Sequence, residues 1–186
     1  MKFTLAVRTL LLLSTLPVSA AFAADLSAPS AKPDPWKPLR VLIGKWEGAV
    51  QGEPGNGKAT REYAFILNNR FIHITNQSIY PPQEKNQKGE VHDDVGFISY
   101  DKATKKLAMR QFHVEGFVNT YRLLPRSGRD KRLVFESEQI ENLPGDWKAR
   151  ETYEQISQDE FTETFELASP GKAYEVYGKA RLNRVP

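Results

Sequence analysis

The side chains of this chain with the most chemical potential are three histidines, seven tyrosines and a scatter of carboxylates, with no cysteine among them. His92-Asp93-Asp94 sets metal-compatible residue types in a row. Neighbouring side chains of a strand point to opposite faces, so only His92 and Asp94 would share one. That supplies two ligands where a metal site takes three or four, so no metal is expected. His73 and His113 stand alone in β-rich stretches, where a histidine is most often a hydrogen-bonded structural residue. Glu136 with Glu138, and Glu151 with Glu163, are pairs of the kind found on solvated strand faces. Nucleophilic catalysis needs a base oriented on its nucleophile. No Gly-x-Ser-x-Gly elbow, phosphate-cradling loop or His-Glu-x-x-His motif is present. The lack of cysteine excludes thiol catalysis and cysteine metal sites. No catalytic residue is therefore assigned, and a non-enzymatic role is expected. The alternative is an enzyme whose active site assembles from scattered strand residues inside the fold.

A second group of residues has the character of a cavity lining: Tyr63, His73, Gln111, His113, Asn119, Tyr121, Arg150 and Tyr153. Aromatic walls carrying a few placed donors are how small proteins hold amphipathic molecules. An interior arginine would pair bidentately with a ligand carboxylate, and Arg110, Arg122 and Arg150 are the candidates. These residues suit a small apolar or amphipathic ligand of fatty-acid type. They are equally compatible with a hydrated interior that holds no ligand.

The elements that must position these side chains are strands. From Gly44 onward the sequence breaks into ten β-rich stretches: 45–52, 57–67, 70–80, 90–100, 105–114, 116–124, 131–140, 148–156, 160–168 and 173–183. Turn-forming residues separate them, among them Glu53-Pro54-Gly55-Asn56, Asn68-Asn69 and Asp101-Lys102-Ala103-Thr104. Polar residues interrupt both faces of several stretches, as in Phe117-Val118-Asn119-Thr120-Tyr121. A dry sandwich core does not tolerate that, whereas a barrel with a polar interior does. Short connections favour antiparallel neighbours in a meander, and closing the meander removes exposed sheet edges. The expected fold is all-β, an up-and-down antiparallel barrel of about ten strands in a single domain, residues 39–186. Residues 24–38, with four prolines, read as an irregular leader. Trp36, Leu39, Leu42 and Ile43 are spaced for about two helical turns that would close one end of the barrel.

Gly44-Lys45-Trp46 follows that helix directly. The glycine lets the chain turn sharply and the tryptophan can plug the narrow end. The last strand of a closed meander pairs with the first, so Arg181 is placed to cover the Trp46 indole. Gly44, Trp46 and Arg181 are thus the expected closure of the barrel. Leu42-Ile43-Gly44-Lys45-Trp46-Glu47-Gly48 is similar to the opening of the nitrobindin-like barrels, and the whole pattern resembles the calycin group of lipocalins, fatty-acid-binding proteins and nitrobindins. Asp94-Val95-Gly96-Phe97-Ile98-Ser99-Tyr100-Asp101 resembles a strand and turn of related secreted families. The resemblance spans about residues 36–184, and ten strands without a C-terminal helix look nearer to the fatty-acid-binding and nitrobindin-like barrels. It implies a ligand-binding barrel and, for the nitrobindin-like members, haem held by a histidine near the end of the barrel. This sequence departs from that pattern, because none of its histidines lies in the last four strands. Tyr177 falls where the ligand would be expected. The expectation is accordingly no cofactor, with haem as the alternative.

The N-terminus has the three parts of an export signal. Lys2 and Arg8 precede an apolar run from Thr9 to Val18, and Ala21-Phe22-Ala23 fits the cleavage pattern. The run is short for a spanning helix, which needs about 20 apolar residues. Residues 1–23 are therefore expected to be removed, leaving a secreted protein, in the periplasm of a Gram-negative bacterium. No further stretch is long and apolar enough to cross a membrane as a helix. Without Lys2 and Arg8 the 26 basic residues become 24 against 23 acidic ones, interspersed along the chain. Nucleic acid is excluded as a partner, because phosphate binding needs a concentrated basic face. An interaction surface for an envelope partner would require a contiguous exposed apolar patch.

Overall fold

A computed structural model describes residues 33–126 and 131–186. The expected signal, residues 1–23, and residues 24–32 of the leader lie outside the described residues. Asp34–Pro186 forms one unit. A 3₁₀ helix, Lys37–Leu42, precedes ten strands. They are β1 (Gly44–Gly52), β2 (Gly55–Ile66), β3 (Phe71–Tyr80), β4 (Glu90–Asp101) and β5 (Lys106–His113), then β6 (Val118–Leu123), β7 (Arg132–Glu141), β8 (Lys148–Gln155), β9 (Glu160–Ala168) and β10 (Glu175–Val185). Each pairs antiparallel with the next, and β10 returns to β1, so the meander is a closed ten-strand barrel. That is the fold the strand spacing predicts.

Alternation sets which side chains face inward. Ile72, Ile74, Asn76, Ser78 and Tyr80 of β3 are buried, as are Leu107, Met109 and Gln111 of β5. The seam between β1 and β10 requires close approach of the two backbones. A Cβ on Gly48 would lie 1.8 Å from the Arg181 carbonyl oxygen, so only glycine fits there. Gly44, at φ +127°, turns the chain from the 3₁₀ helix into β1.

One end of the barrel is plugged. The expected two α-helical turns are instead a six-residue 3₁₀ helix, with Pro38 near its start, in keeping with the preference of such short pieces for the tighter helix. Its Leu39 and Leu42 are fully buried beside Trp46, each contributing roughly 1.5–3 kcal/mol by burial. The Trp46 indole N–H donates to the Leu42 carbonyl at 2.7 Å, and its ring meets Phe161 edge-on at 4.7 Å.

The lid over this tryptophan is Arg184 and not Arg181. Arg184 is the residue opposite Trp46 in the β1–β10 register, so the two share the inward face. Its guanidinium carbon sits 4.1 Å from the indole centroid, and its N–H groups donate to the carbonyls of Ile43, Val41 and Gln158 at 2.7, 3.1 and 3.1 Å. Arg181 has the other parity, faces outward opposite Ala49 and pairs with Glu160.

Candidate functional site

The opposite end of the barrel is open and leads into a cavity of about 300 Å³. Its two walls differ in chemistry. The β7–β10 side is mostly apolar above Glu151 and Glu163, with Ile140, Leu143, Trp147, Phe165, Leu167 and the half-exposed Tyr177, and Lys179 also lines it. The β3–β6 side is polar and ionisable. His92, Asp94, His113 and Asn119 project into the cavity from it, and Glu90 and Glu115 stand at the rim.

The polar wall is built by register. Asp94 of β4 is directly opposite His113 of β5, and His92 lies on the same face two residues before Asp94. The imidazoles meet with His113 Nδ1 3.4 Å from His92 Nε2. Asp94 Oδ2 lies 3.8 Å from that Nε2. Each ring also has an outer partner: His92 Nδ1 is 2.8 Å from a Glu115 carboxylate oxygen, and His113 Nε2 is 3.1 Å from the Asn119 amide. The second oxygen of Asp94 accepts from Asn76 at 2.9 Å and from Gln111 at 3.4 Å. Phe117 stacks on the His113 ring at 4.4 Å.

Burial moves these groups away from their ordinary charge balance. It pushes His113 down to about 4, with His92 adding to the effect, so its imidazole is neutral at neutral pH. Burial and Glu163 raise Asp94 to about 6, against the opposing pull of Arg61 and His92. Burial raises Glu151 to about 8, and the nearby Glu163 and Asp94 add to it. Tyr177 is raised by burial and by Glu90, which keeps it a phenol.

The floor is a hydrogen-bonded layer. Arg61 forks onto Glu163, with Nη2 to Oε1 at 2.7 Å and Nε at 3.1 Å from both oxygens. Its Nη1 donates to the Gln77 carbonyl at 2.9 Å and to Ser78 Oγ at 3.3 Å. Burial weakens the hold of this guanidinium on its proton, but the Glu163 carboxylate more than offsets that and keeps it firmly charged. Tyr63 donates to Glu163 at 3.4 Å, and the Tyr153 hydroxyl donates to Glu151.

The residues singled out in the sequence divide accordingly. His113 and Asn119 line the cavity. Tyr63, Gln111, Tyr121 and Tyr153 point inward but are buried among the packed side chains rather than along the cavity. His73 does not belong to the site: it lies on the odd, outward face of β3, beside Phe97 at 5.2 Å. Arg150 is likewise outside, bonded to Glu166 at 2.7 and 2.8 Å and lying over Tyr174. Arg110 and Arg122 pair with Glu141 and Glu138 on the surface. The arginine that lines the cavity is Arg61, and its donors are already engaged. Glu151 and Glu163, read as a solvated pair, are both buried inside the barrel.

The expectation of two ligands on the His92–Asp94 strand missed the third group, His113, which comes from the neighbouring strand. The tight Asp101–Thr104 connection pairs Asp101 with Lys106, and seven residues back on each side the same ladder pairs Asp94 with His113. That register was the available signal.

Comparison with known proteins agrees with the architecture. The crystal structure of Rv2717c from M. tuberculosis is similar, with a TM-score of 0.61 at 16% identity, covering 83% of this chain and 99% of that one. At that identity the likeness concerns the fold alone. A DUF3598-family protein from Nostoc punctiforme covers 82% of this chain and 100% of its own at 8% identity, and its TM-score of 0.29 carries no argument. No curated protein matches. The model of the THAP4-like, heme-binding β-barrel domain matches residues 36–184. With that match over most of its length, on a closed ten-strand barrel open at one end, the chain belongs to the THAP4-like, heme-binding β-barrel family.

Proposed function

We propose that this protein binds a planar amphipathic molecule in the open-end cavity, with haem as the first candidate, and that it acts as a carrier or sensor rather than an enzyme. The observation that carries the reading is the cavity's division into an apolar wall and a wall bearing a neutral buried imidazole. The residues fit haem in kind. Neutral His113 keeps one ring-nitrogen lone pair with which to bind iron at neutral pH, while Ile140, Leu143, Phe165 and Leu167 offer a surface for the macrocycle. Bound haem would supply an iron centre whose ligation and redox behaviour the surrounding polarity tunes. The chain's own part is to present the imidazole, hold it by Asn119 and keep water from the apolar side.

The electrostatics orient the ligand. Glu90, Asp94, Glu115 and Glu163 border the cavity against Arg61 and Lys179, and Arg61 is spent on Glu163. Carboxylates of a ligand therefore belong outward, at the mouth. The same balance opposes a fatty acid that enters head-first. Tyr177 stands at the mouth as a phenol, so His113 is favoured over it as the iron ligand.

An absorbance titration of the metal-stripped protein with haemin tests this. The expected outcome is saturable one-to-one binding with a shifted Soret band, weakened at least about tenfold by His113→Ala and unchanged by His73→Ala. Binding that does not saturate, or that is indifferent to His113→Ala, would remove haem as the ligand. Export to the periplasm is part of the same proposal, and it predicts a mature chain that begins at Ala24, checked by intact mass.

A further inference from the structure

We propose that His92, Asp94 and His113 form a binding site for a divalent first-row metal ion such as Zn²⁺, with one coordination position open to the cavity. The inference does not rest on haem binding. Among the described residues, the ligand atoms of these three side chains all lie within 4.8 Å of one another. A tetrahedral ion with metal–nitrogen bonds of about 2.0–2.1 Å holds two nitrogens about 3.4 Å apart. The separation of His113 Nδ1 from His92 Nε2 is 3.4 Å.

The surrounding hydrogen bonds point the right atoms inward. A ligating imidazole characteristically gives its other N–H to a carboxylate or carbonyl. His92 Nδ1 does so to Glu115 at 2.8 Å, which leaves the Nε2 lone pair facing the site. For His113 the outer partner is Asn119, which is 1% exposed and whose Oδ1 has no hydrogen-bond partner while its Nδ2 faces His113 Nε2. The two ends of an amide are isosteric. Turned over, Asn119 Oδ1 accepts from both His113 Nε2–H and the Tyr121 hydroxyl, which lies 2.8 Å from the amide. That places the His113 lone pair on Nδ1, towards His92. Two imidazole lone pairs then face each other beside the Asp94 carboxylate, an arrangement that a cation satisfies and that a neutral interior does not. Asp94 is held by Asn76 and Gln111 through Oδ1, leaving Oδ2 free. Two imidazoles and one carboxylate with an open position match the donor sets of reactive zinc and non-haem iron sites. The fourth position faces the cavity, where water or a bound ligand can occupy it.

The test is calorimetric titration of Zn²⁺ into the full chain, purified without a polyhistidine tag and stripped with chelator. One ion per chain is expected. His92→Ala, Asp94→Asn and His113→Ala should each weaken binding at least about 100-fold, Glu115→Gln about 10–100-fold, and His73→Ala not at all. In the unsubstituted protein, NMR of the imidazole nitrogens should show Zn²⁺ shifting His92 and His113 and sparing His73, a readout that does not depend on any variant folding. Absence of saturable binding, or shifts at His73 instead, would overturn the site. Haemin affinity measured on the same metal-free protein separates the two readings: Zn²⁺ binding without haemin binding sinks haem alone. If both bind, preloaded Zn²⁺ should weaken haemin binding, because both use His113; independence of the two would overturn the shared imidazole.

Discussion

At the scale of single residues, the barrel interior is expensive in charge. Arg61 and Glu163 are both buried and bonded to each other at 2.7 Å. Removing one partner of such a pair strands the other, a loss of about 3–5 kcal/mol. Arg61→Met should therefore lower the unfolding free energy obtained from urea titration by that amount, and adding Glu163→Leu should recover most of it. A double variant no more stable than Arg61→Met would contradict the stranded charge. Glu151 gives a pH signature. Its carboxyl is raised from 4.5 to about 8, so the folded chain holds this proton more tightly than the unfolded one. The associated stability is full below about pH 4.5 and is lost as the pH rises to about 8. The slope is at most about 1.4 kcal/mol per pH unit. Asp94 and His113 shift in opposite directions over the acid half of that range, so the fall attributable to Glu151 should emerge between about pH 6 and 8. Urea midpoints measured in chelator across that range should decline for the natural protein and stay flatter for Glu151→Gln. A midpoint that rises with pH would contradict the assignment.

At the scale of elements, the strands were legible and their faces were not. All ten stretches were readable from turn chemistry and β-rich composition, because Pro, Gly, Asn and Asp mark the connections. The inward parity was obscured because the interior is itself polar: Asn76, Gln111, Asn119, Glu151 and Glu163 occupy positions where an apolar residue would have betrayed the core. His73 and Arg150 were misplaced for that reason. The cavity arginine was sought at Arg110, Arg122 or Arg150, when the one that lines it is Arg61. The plug shows the same limit. Closure by an arginine over Trp46 was readable, but the register that selects Arg184 over Arg181 depends on how β10 returns to β1. Arg184→Ala removes a cation–π contact and three hydrogen bonds to carbonyls, and should cost about 1–3 kcal/mol. It should also speed amide exchange in the 3₁₀ helix while leaving Zn²⁺ affinity unchanged. Arg181→Ala, which loses only a surface pair, should change stability by less than about 1 kcal/mol. Thermal melts with hydrogen exchange distinguish the two, and equal effects would refute the plug assignment.

At the scale of the whole molecule, the barrel has two ends with opposite roles. The 3₁₀ helix, Trp46, Phe161 and Arg184 close one end and stabilise the fold. The other end is left open above a charged floor, with imidazoles on one side and apolar walls on the other. Stability and binding are thereby separated along the barrel axis, which lets the mouth carry unfavourable charge while the plug holds the strands together. The outer face carries an exposed apolar cross-strand pair, Val95 with Phe112, which lies on the opposite side of the sheet from the cavity. The central claim is that ligands enter only at the mouth. The measurement that tests it most directly is an amide NMR titration of the full chain with gallium protoporphyrin, a diamagnetic stand-in for haem. The account predicts saturable shifts at His92, His113, Asn119, Phe165 and Leu167, with Trp46, Phe161 and Arg184 unmoved. Shifts confined to the outer face around Val95 and Phe112, or none at all, would contradict it.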